Sequence, residues 1–200
     1  MNKMRIHAIV LAAGLSTRFG DDKLAKLYKG QTVLNYLLNK LKELPFEEVY
    51  VVTNEKTYKL IDERLRFNIL INKDAQQGIS TSIRLGLQLS SECEAYCFIV
   101  ADQLALKKET IADMLNIYKD NQTGILCASH RGELGNPVIF SNCYKEELMQ
   151  LKGDVGGKKV LKKHLADVTL FEVSDKNELI DIDTKLDWNR LLKEEKSWNN

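Results

Sequence analysis

Ala8-Ile9-Val10-Leu11-Ala12-Ala13-Gly14-Leu15-Ser16-Thr17-Arg18-Phe19-Gly20-Asp21-Asp22-Lys23-Leu24 is an apolar run that opens straight into a turn of small residues and two cations. Apart from His7, the run from Ile6 to Leu11 is apolar, as expected of a strand covered on both faces in a parallel sheet. Small residues just past such a strand let a backbone approach a nucleotide, and cations there meet its phosphates. Arg18 offers a bidentate fork and Lys23 a point charge. The spacing is neither a Walker A loop nor a GxGxxG turn.

The segment Tyr96-Cys97-Phe98-Ile99-Val100-Ala101-Asp102-Gln103 puts a carboxylate at the end of a second apolar strand. Open α/β sheets bind ligands there. A helix cap is the alternative role for Asp102. Leu104 to Lys108 separates it from the next plausible cap, which favours metal ligation. A cationic phosphate loop with a hard oxygen ligand is suited to Mg2+-assisted nucleotide chemistry.

Working outward, strands and helices alternate. Helices are expected at Thr32–Leu44 (stopped by Pro45), Tyr58–Leu65, Ser80–Leu89 and Glu109–Tyr118. Strands are expected at Glu48–Thr53, Phe67–Ile71, Ala95–Ala101 and Gly124–Ser129. Arg131 to Pro137 is turn-rich and precedes a short strand, Val138–Phe140. Helices at Tyr144–Leu151 and Lys158–Leu165, strands at Val168–Val173 and Leu179–Ile182, and a last helix from Leu186 follow, with the tail from Lys193 expected to fray. This order predicts a three-layer α/β sandwich on a mostly parallel, mixed sheet. One domain spanning residues 1–200 is expected, with residues 130–175 as a late insertion over one edge and the acceptor site.

Net charge is +1, so no global basic field suits nucleic acid or an anionic membrane. Ala8 to Ala13, the longest apolar run, is far too short to span a bilayer. Met1 to Arg5 leads into a strand and not into a signal-peptide core, so a cytoplasmic protein is expected. The four cysteines form no CxxC pair, and Cys97 and Cys127 fall inside apolar strands, which argues against a zinc site.

Leu11-Ala12-Ala13-Gly14-x-Ser16-x-Arg18-Phe19-Gly20-x-Asp22-Lys23-Leu24 resembles the signature of the molybdenum cofactor nucleotidyltransferases, and more narrowly the cytidylyltransferase branch beside the guanylyltransferases. Four later segments agree: Gln77-Gly78-Ile79-Ser80-Thr81-Ser82, Ala101-Asp102-Gln103, Gly135-Asn136-Pro137-Val138 and Asp181-Ile182-Asp183-Thr184. The resemblance implies a Rossmann-like fold of the nucleotide-diphospho-sugar transferase type. It implies transfer of CMP from CTP to a molybdopterin-type phosphate, with Mg2+ as cofactor and pyrophosphate as product. A sugar or alcohol phosphate acceptor, or a non-catalytic cofactor-insertion module, are the rival readings. A molybdenum hydroxylase or its insertion chaperone would be the protein partner.

By the same resemblance, Lys23 and Arg18 are catalytic, and Asp102 and Asp183 hold the metal, with Asp181 the weaker ligand. Leu11, Ala12, Ala13, Gly14, Ser16, Arg18, Lys23, Gln77, Gly78, Ser80 and Ser82 meet the nucleotide, although Gln77, Ser80 and Ser82 could equally begin a helix. Gln103, Asn136, Pro137, Gly153, Asp154 and Lys158 meet the acceptor. Three departures stand out: Leu104 and Lys185 replace expected prolines, and Gly157-Lys158 stands where Ala-Arg is usual.

Overall fold

The computed structural model describes residues 4–16, 19–121 and 123–198. Its strands are β1 (Ile6–Ala12), β2 (Leu27–Tyr28), β3 (Gln31–Thr32), β4 (Glu48–Thr53), β5 (Asn68–Ile71), β6 (Ala95–Val100), β7 (Ile125–His130), β8 (Glu133–Ser141) and β9 (Val168–Glu172). The α-helices are α1 (Val33–Lys42), α2 (Glu55–Tyr58), α3 (Ile79–Leu89), α4 (Lys108–Asn121), α5 (Lys145–Met149), α6 (Lys158–Lys163) and α7 (Lys185–Trp198). Seven strands form one sheet in the order β5-β4-β1-β6-β8-β7-β9, while β2 and β3 make a separate ribbon. Every pairing in the large sheet is parallel except those of β8, which runs antiparallel between β6 and β7.

Alternation along β1 divides the core into two layers. Ala8, Val10 and Ala12 face α1 and α4, packing with Leu34, Leu38, Ile111 and Leu115. Ile9 faces the other way, among Ile83 and Leu87 of α3, Leu148 of α5 and Leu161 of α6. A Cβ on Gly86 of α3 would stand 2.6 Å from the Ile9 side chain, so glycine lets this helix lie close on β1. The three-layer, mostly parallel mixed sheet expected from the sequence is the one observed.

Local readings needed correction. The helix expected at Tyr58–Leu65 is not formed: the single turn of α2 ends at Tyr58, and turns follow. Asn35 takes its place as organiser: its amide donates to the Leu60 carbonyl (2.7 Å) and accepts from the Asp62 N–H (3.1 Å), removing both from any helix ladder. The turn-rich stretch contracts to Arg131-Gly132, both at positive φ, as a two-residue hairpin needs. The strand β8 therefore starts at Glu133, and the register shift opposite Cys127–Ser129 accommodates Gly135-Asn136-Pro137 as a bulge. Proline has no N–H for the ladder, which suits it to that place. The Asn136–Pro137 peptide is cis.

Lys176–Leu179 is a 3-10 turn, and the strand expected at Leu179–Ile182 is replaced by an extended stretch whose Ile182 N–H donates to the Asp102 carbonyl (3.0 Å). The last helix continues past Lys193, with α7 reaching Trp198. Residues 130–175 supply β8 to the interior of the sheet, β9 to its edge, and α5 and α6 to the layer that also contains α3.

Candidate active site

Beyond the carboxyl ends of β1 and β6 lies a cleft of about 540 Å3, within the usual range for a small-molecule site. Its floor is the small-residue loop. Ala12 and Ala13 are buried, and Gly14, Leu15 and Ser16 line the opening with Leu11. Asn54, at the end of β4, holds this loop in place. Its Nδ2 donates to the Ala13 carbonyl (3.2 Å), while its Oδ1 caps α2 by accepting from the Lys56 and Thr57 amides (2.9 Å each). Arg18 and Thr17 lie outside the described residues.

The chain returns to the cleft because Phe19 and Leu24 are buried in the core on either side of the polar Asp21-Asp22 pair. The Asp22 carboxylate caps the 3-10 turn Lys23–Ala25 by accepting from the Leu24 amide (3.1 Å). Lys23 is thereby aimed inward. Its Nζ donates to Asp102 Oδ2 (2.5 Å) and Asp183 Oδ1 (3.2 Å). Burial pulls the Lys23 ammonium pKa down, but the Asp102 charge and the hydrogen bonds to both carboxylates outweigh it and raise the pKa overall.

Asp183 sits one residue before a reciprocal cap. The Asp187 carboxylate accepts from the Thr184 N–H (2.7 Å), and Thr184 Oγ1 accepts from the Asp187 N–H (3.2 Å), starting α7 without the proline expected at Lys185. Asp181 also lines the cleft. Burial, then the charges of Asp102 and Asp183, push its carboxyl up to about 6. Asp181 therefore shares the cleft with Asp102 and Asp183. The alternating Asp-x-Asp spacing in an extended segment was the available signal.

The opposite wall runs from Ala75 to Ile79 and includes Ser82. Buried Asn72 braces it, its Nδ2 donating to Thr81 Oγ1 and Ser82 Oγ at 2.9 Å each. The start of α3 is not left with free amides. The Ser80 N–H donates to the Gly153 carbonyl (3.3 Å), and the Ile79 N–H reaches Asp154 Oδ1 at 3.5 Å. The turn at Gly153-Asp154 thus closes one end of the cleft, with Asp154 in its lining.

Of the other expected site residues, Gln77 and Gly78 line the cleft, but Ser80 is fully buried with its hydroxyl unpartnered. Gln103 is buried too, its Nε2 donating to the Leu179 carbonyl (3.1 Å) and so fastening the segment that carries Asp181 and Asp183. Lys158 Nζ donates to the Leu134 carbonyl (2.8 Å). Asn136, Pro137, Gly153 and Lys158 stand outside the cleft lining. Sequence reading missed Leu15, Gln76 and Ile79, ordinary loop and helix residues that reach the cleft only through the fold.

Asp102 and Asp183 converge on one ammonium, so their hard oxygens can also converge on one small cation. No group of three or more His, Cys, Asp or Glu suited to hold a metal occurs among the described residues. Two carboxylates fit an ion that keeps waters and phosphate oxygens as its remaining ligands, which is the habit of Mg2+.

Residues 8–168 match the family described as the MobA-like NTP transferase domain. The purine catabolism protein PucB of Bacillus subtilis is 26% identical over 188 residues, covering 88% of this chain and 90% of that protein. A probable molybdenum cofactor guanylyltransferase of Aquifex aeolicus is 33% identical over 113 residues, 56% of this chain and 53% of that one. Among solved structures, Rv0371c from Mycobacterium tuberculosis superposes with a TM-score of 0.83 at 23% identity, over 95% of this chain and 98% of that one. A second structure of Rv0371c is a complex with manganese, at a TM-score of 0.79 and 22% identity, over 95% of this chain and 99% of that one. The chain belongs to the MobA-like NTP transferase family.

Proposed function

We propose that the protein transfers CMP from CTP to the phosphate of a molybdopterin-type acceptor. An acceptor phosphate oxygen attacks the α-phosphorus, and the bond to the departing pyrophosphate breaks. The observation that carries this reading is the meeting of Lys23 with Asp102 and Asp183 beside the Ala12-Ala13-Gly14 loop. The loop would admit base and ribose to the backbone, with Gln77, Gly78 and Ser82 on the facing wall. Lys23 would stabilise negative charge growing on the pyrophosphate, and Arg18, five residues earlier in the sequence, would share that role.

Asp102 and Asp183 would hold Mg2+, which supplies neutralisation of charge between two phosphate-bearing reactants. The manganese complex of Rv0371c supports divalent-ion use. The acceptor would lie toward the Gly153-Asp154 turn, so residues 130–175 act as its cover within a single domain. Gln103 contributes by holding the 179–183 segment.

The name of the Aquifex relative favours a second reading, in which GTP is the donor. The structure contains no described helix long and apolar enough to cross a membrane. Three buried free cysteines, Cys93, Cys97 and Cys127, support a reducing compartment such as the cytoplasm. A molybdenum hydroxylase or its insertion chaperone would receive the product. Pyrophosphate release measured with CTP, GTP, UTP and ATP, with and without molybdopterin or a sugar phosphate, tests the reading. Release with CTP that requires molybdopterin supports it. Release driven only by a sugar phosphate, or no release with any pairing of nucleotide and acceptor, refutes it.

A further inference from the structure

Lys23 occupies the place between Asp102 and Asp183 that a cation would take. Its ammonium lies 2.5 Å from one carboxylate and 3.2 Å from the other, and its side chain is only 12% exposed. The backbone beneath it is fixed, with Leu24 in the core and Asp22 capping the turn. The four-carbon stem is the part free to swing. An ammonium and a divalent ion cannot share the same two carboxylate oxygens at these distances, because like charges would meet within a few ångströms.

We propose that Lys23 holds the cation position in the nucleotide-free protein, so that the divalent ion enters with the nucleotide and not before it. The inference rests on the nucleotidyl-transfer reading of the cleft. A nucleotide triphosphate does two things at once. Beside the Gly14–Ser16 loop it offers Lys23 an anionic partner other than the two carboxylates, and it brings oxygens that complete a coordination shell begun by those carboxylates. Its arrival therefore favours the arrangement with the lysine on phosphate and the ion on carboxylate. The same lysine neutralises two carboxylates that would otherwise repel one another.

The test is titration of the nucleotide-free full-length protein with Mn2+, reading free ion by electron paramagnetic resonance. Wild type should bind Mn2+ weakly. Lys23→Met should bind it at least about tenfold more tightly, a difference of about 1.4 kcal/mol. Lys23→Arg, which keeps a cation, should stay as weak as wild type. The gain in Lys23→Met should vanish when Asp102→Asn is added. Lys23→Gln serves the same comparison if Lys23→Met melts early. Mn2+ binding by Lys23→Met and Lys23→Gln no tighter than by wild type overturns the proposal, as does a gain that survives Asp102→Asn. Because manganese alone is the probe, the result does not depend on turnover. A failed pyrophosphate assay would count against the functional reading and not against this one.

Discussion

A Cβ built on Gly78 would stand 2.4 Å from the carbonyl carbon of Gly153, so these two glycines meet backbone to backbone. Gly78 also has φ +105, a conformation side chains rarely adopt. The contact joins the Ala75–Ile79 wall of the cleft to the turn that carries Asp154. Gly78→Ala must push that turn outward. We expect a loss of about 1 to 3 kcal/mol in stability and a rise in acceptor KM larger than the rise in CTP KM. Urea melts and separate KM determinations check it. Unchanged acceptor KM in the folded variant would contradict the placing of the acceptor here.

Asn72 gives the second prediction. It is buried, donates to Thr81 and Ser82, and accepts from the Asp74 N–H at 2.9 Å. Asn72→Ala leaves those groups without their partner, at a cost of about 1 to 3 kcal/mol. Ser82 lines the cleft, so CTP KM should rise as well. Denaturation and steady-state kinetics together decide. A stability loss with unaltered CTP KM would reduce Asn72 to a packing role.

The parallel sheet was legible because β1, β4 and β6 are short apolar runs ending at turn or carboxylate residues. Lys23 and Asp102 were legible from their place after such strands. Other features depend on partners distant in sequence. Nothing local at Leu60 or Asp62 announces that Asn35 will take their backbone groups. Likewise, Gln103 reads as a site residue beside Asp102, yet its amide is committed to Leu179, seventy-six residues away. The short Leu179–Ile182 run has strand composition but finds only the Asp102 carbonyl for the Ile182 amide.

Ala13 sets the third prediction. It is buried in the floor of the cleft. If the base lies on this loop as proposed, its methyl narrows the base site, and CTP should outcompete GTP by at least about tenfold, or about 1.4 kcal/mol. Ala13→Gly should reduce that preference. Competition between the two nucleotides measures it, and equal use by wild type would show that this loop does not read the base.

Lys40 links stability to pH. Its ammonium donates to the Leu104 and Leu106 carbonyls (3.2 and 2.6 Å), bracing the chain just after Asp102. Burial, then the nearby Lys29 charge, lowers its pKa to about 8, against the opposing pull of Glu109 and Glu178. The folded pKa lies below the ordinary value of 10.5, so between about 8 and 10.5 the unfolded chain binds more protons. Unfolding free energy should therefore rise with pH across that window. Relative to Lys40→Met, wild type should gain on the order of 1 to 2 kcal/mol between pH 7.5 and 9.5. Paired urea melts at the two pH values check the sign. A gain in the opposite direction would show that the two carbonyls and the Tyr36 ring, 4.2 Å away, keep the charged form favoured.

The most direct test of catalysis at the Lys23–Asp102–Asp183 centre is pyrophosphate release from CTP and molybdopterin by wild type and Asp102→Asn. Asparagine keeps the size of the side chain and removes the charge that holds a hard cation. The variant should melt within a few degrees of wild type, and its turnover should fall about a hundredfold or more. Wild-type turnover by a folded Asp102→Asn protein would contradict the account.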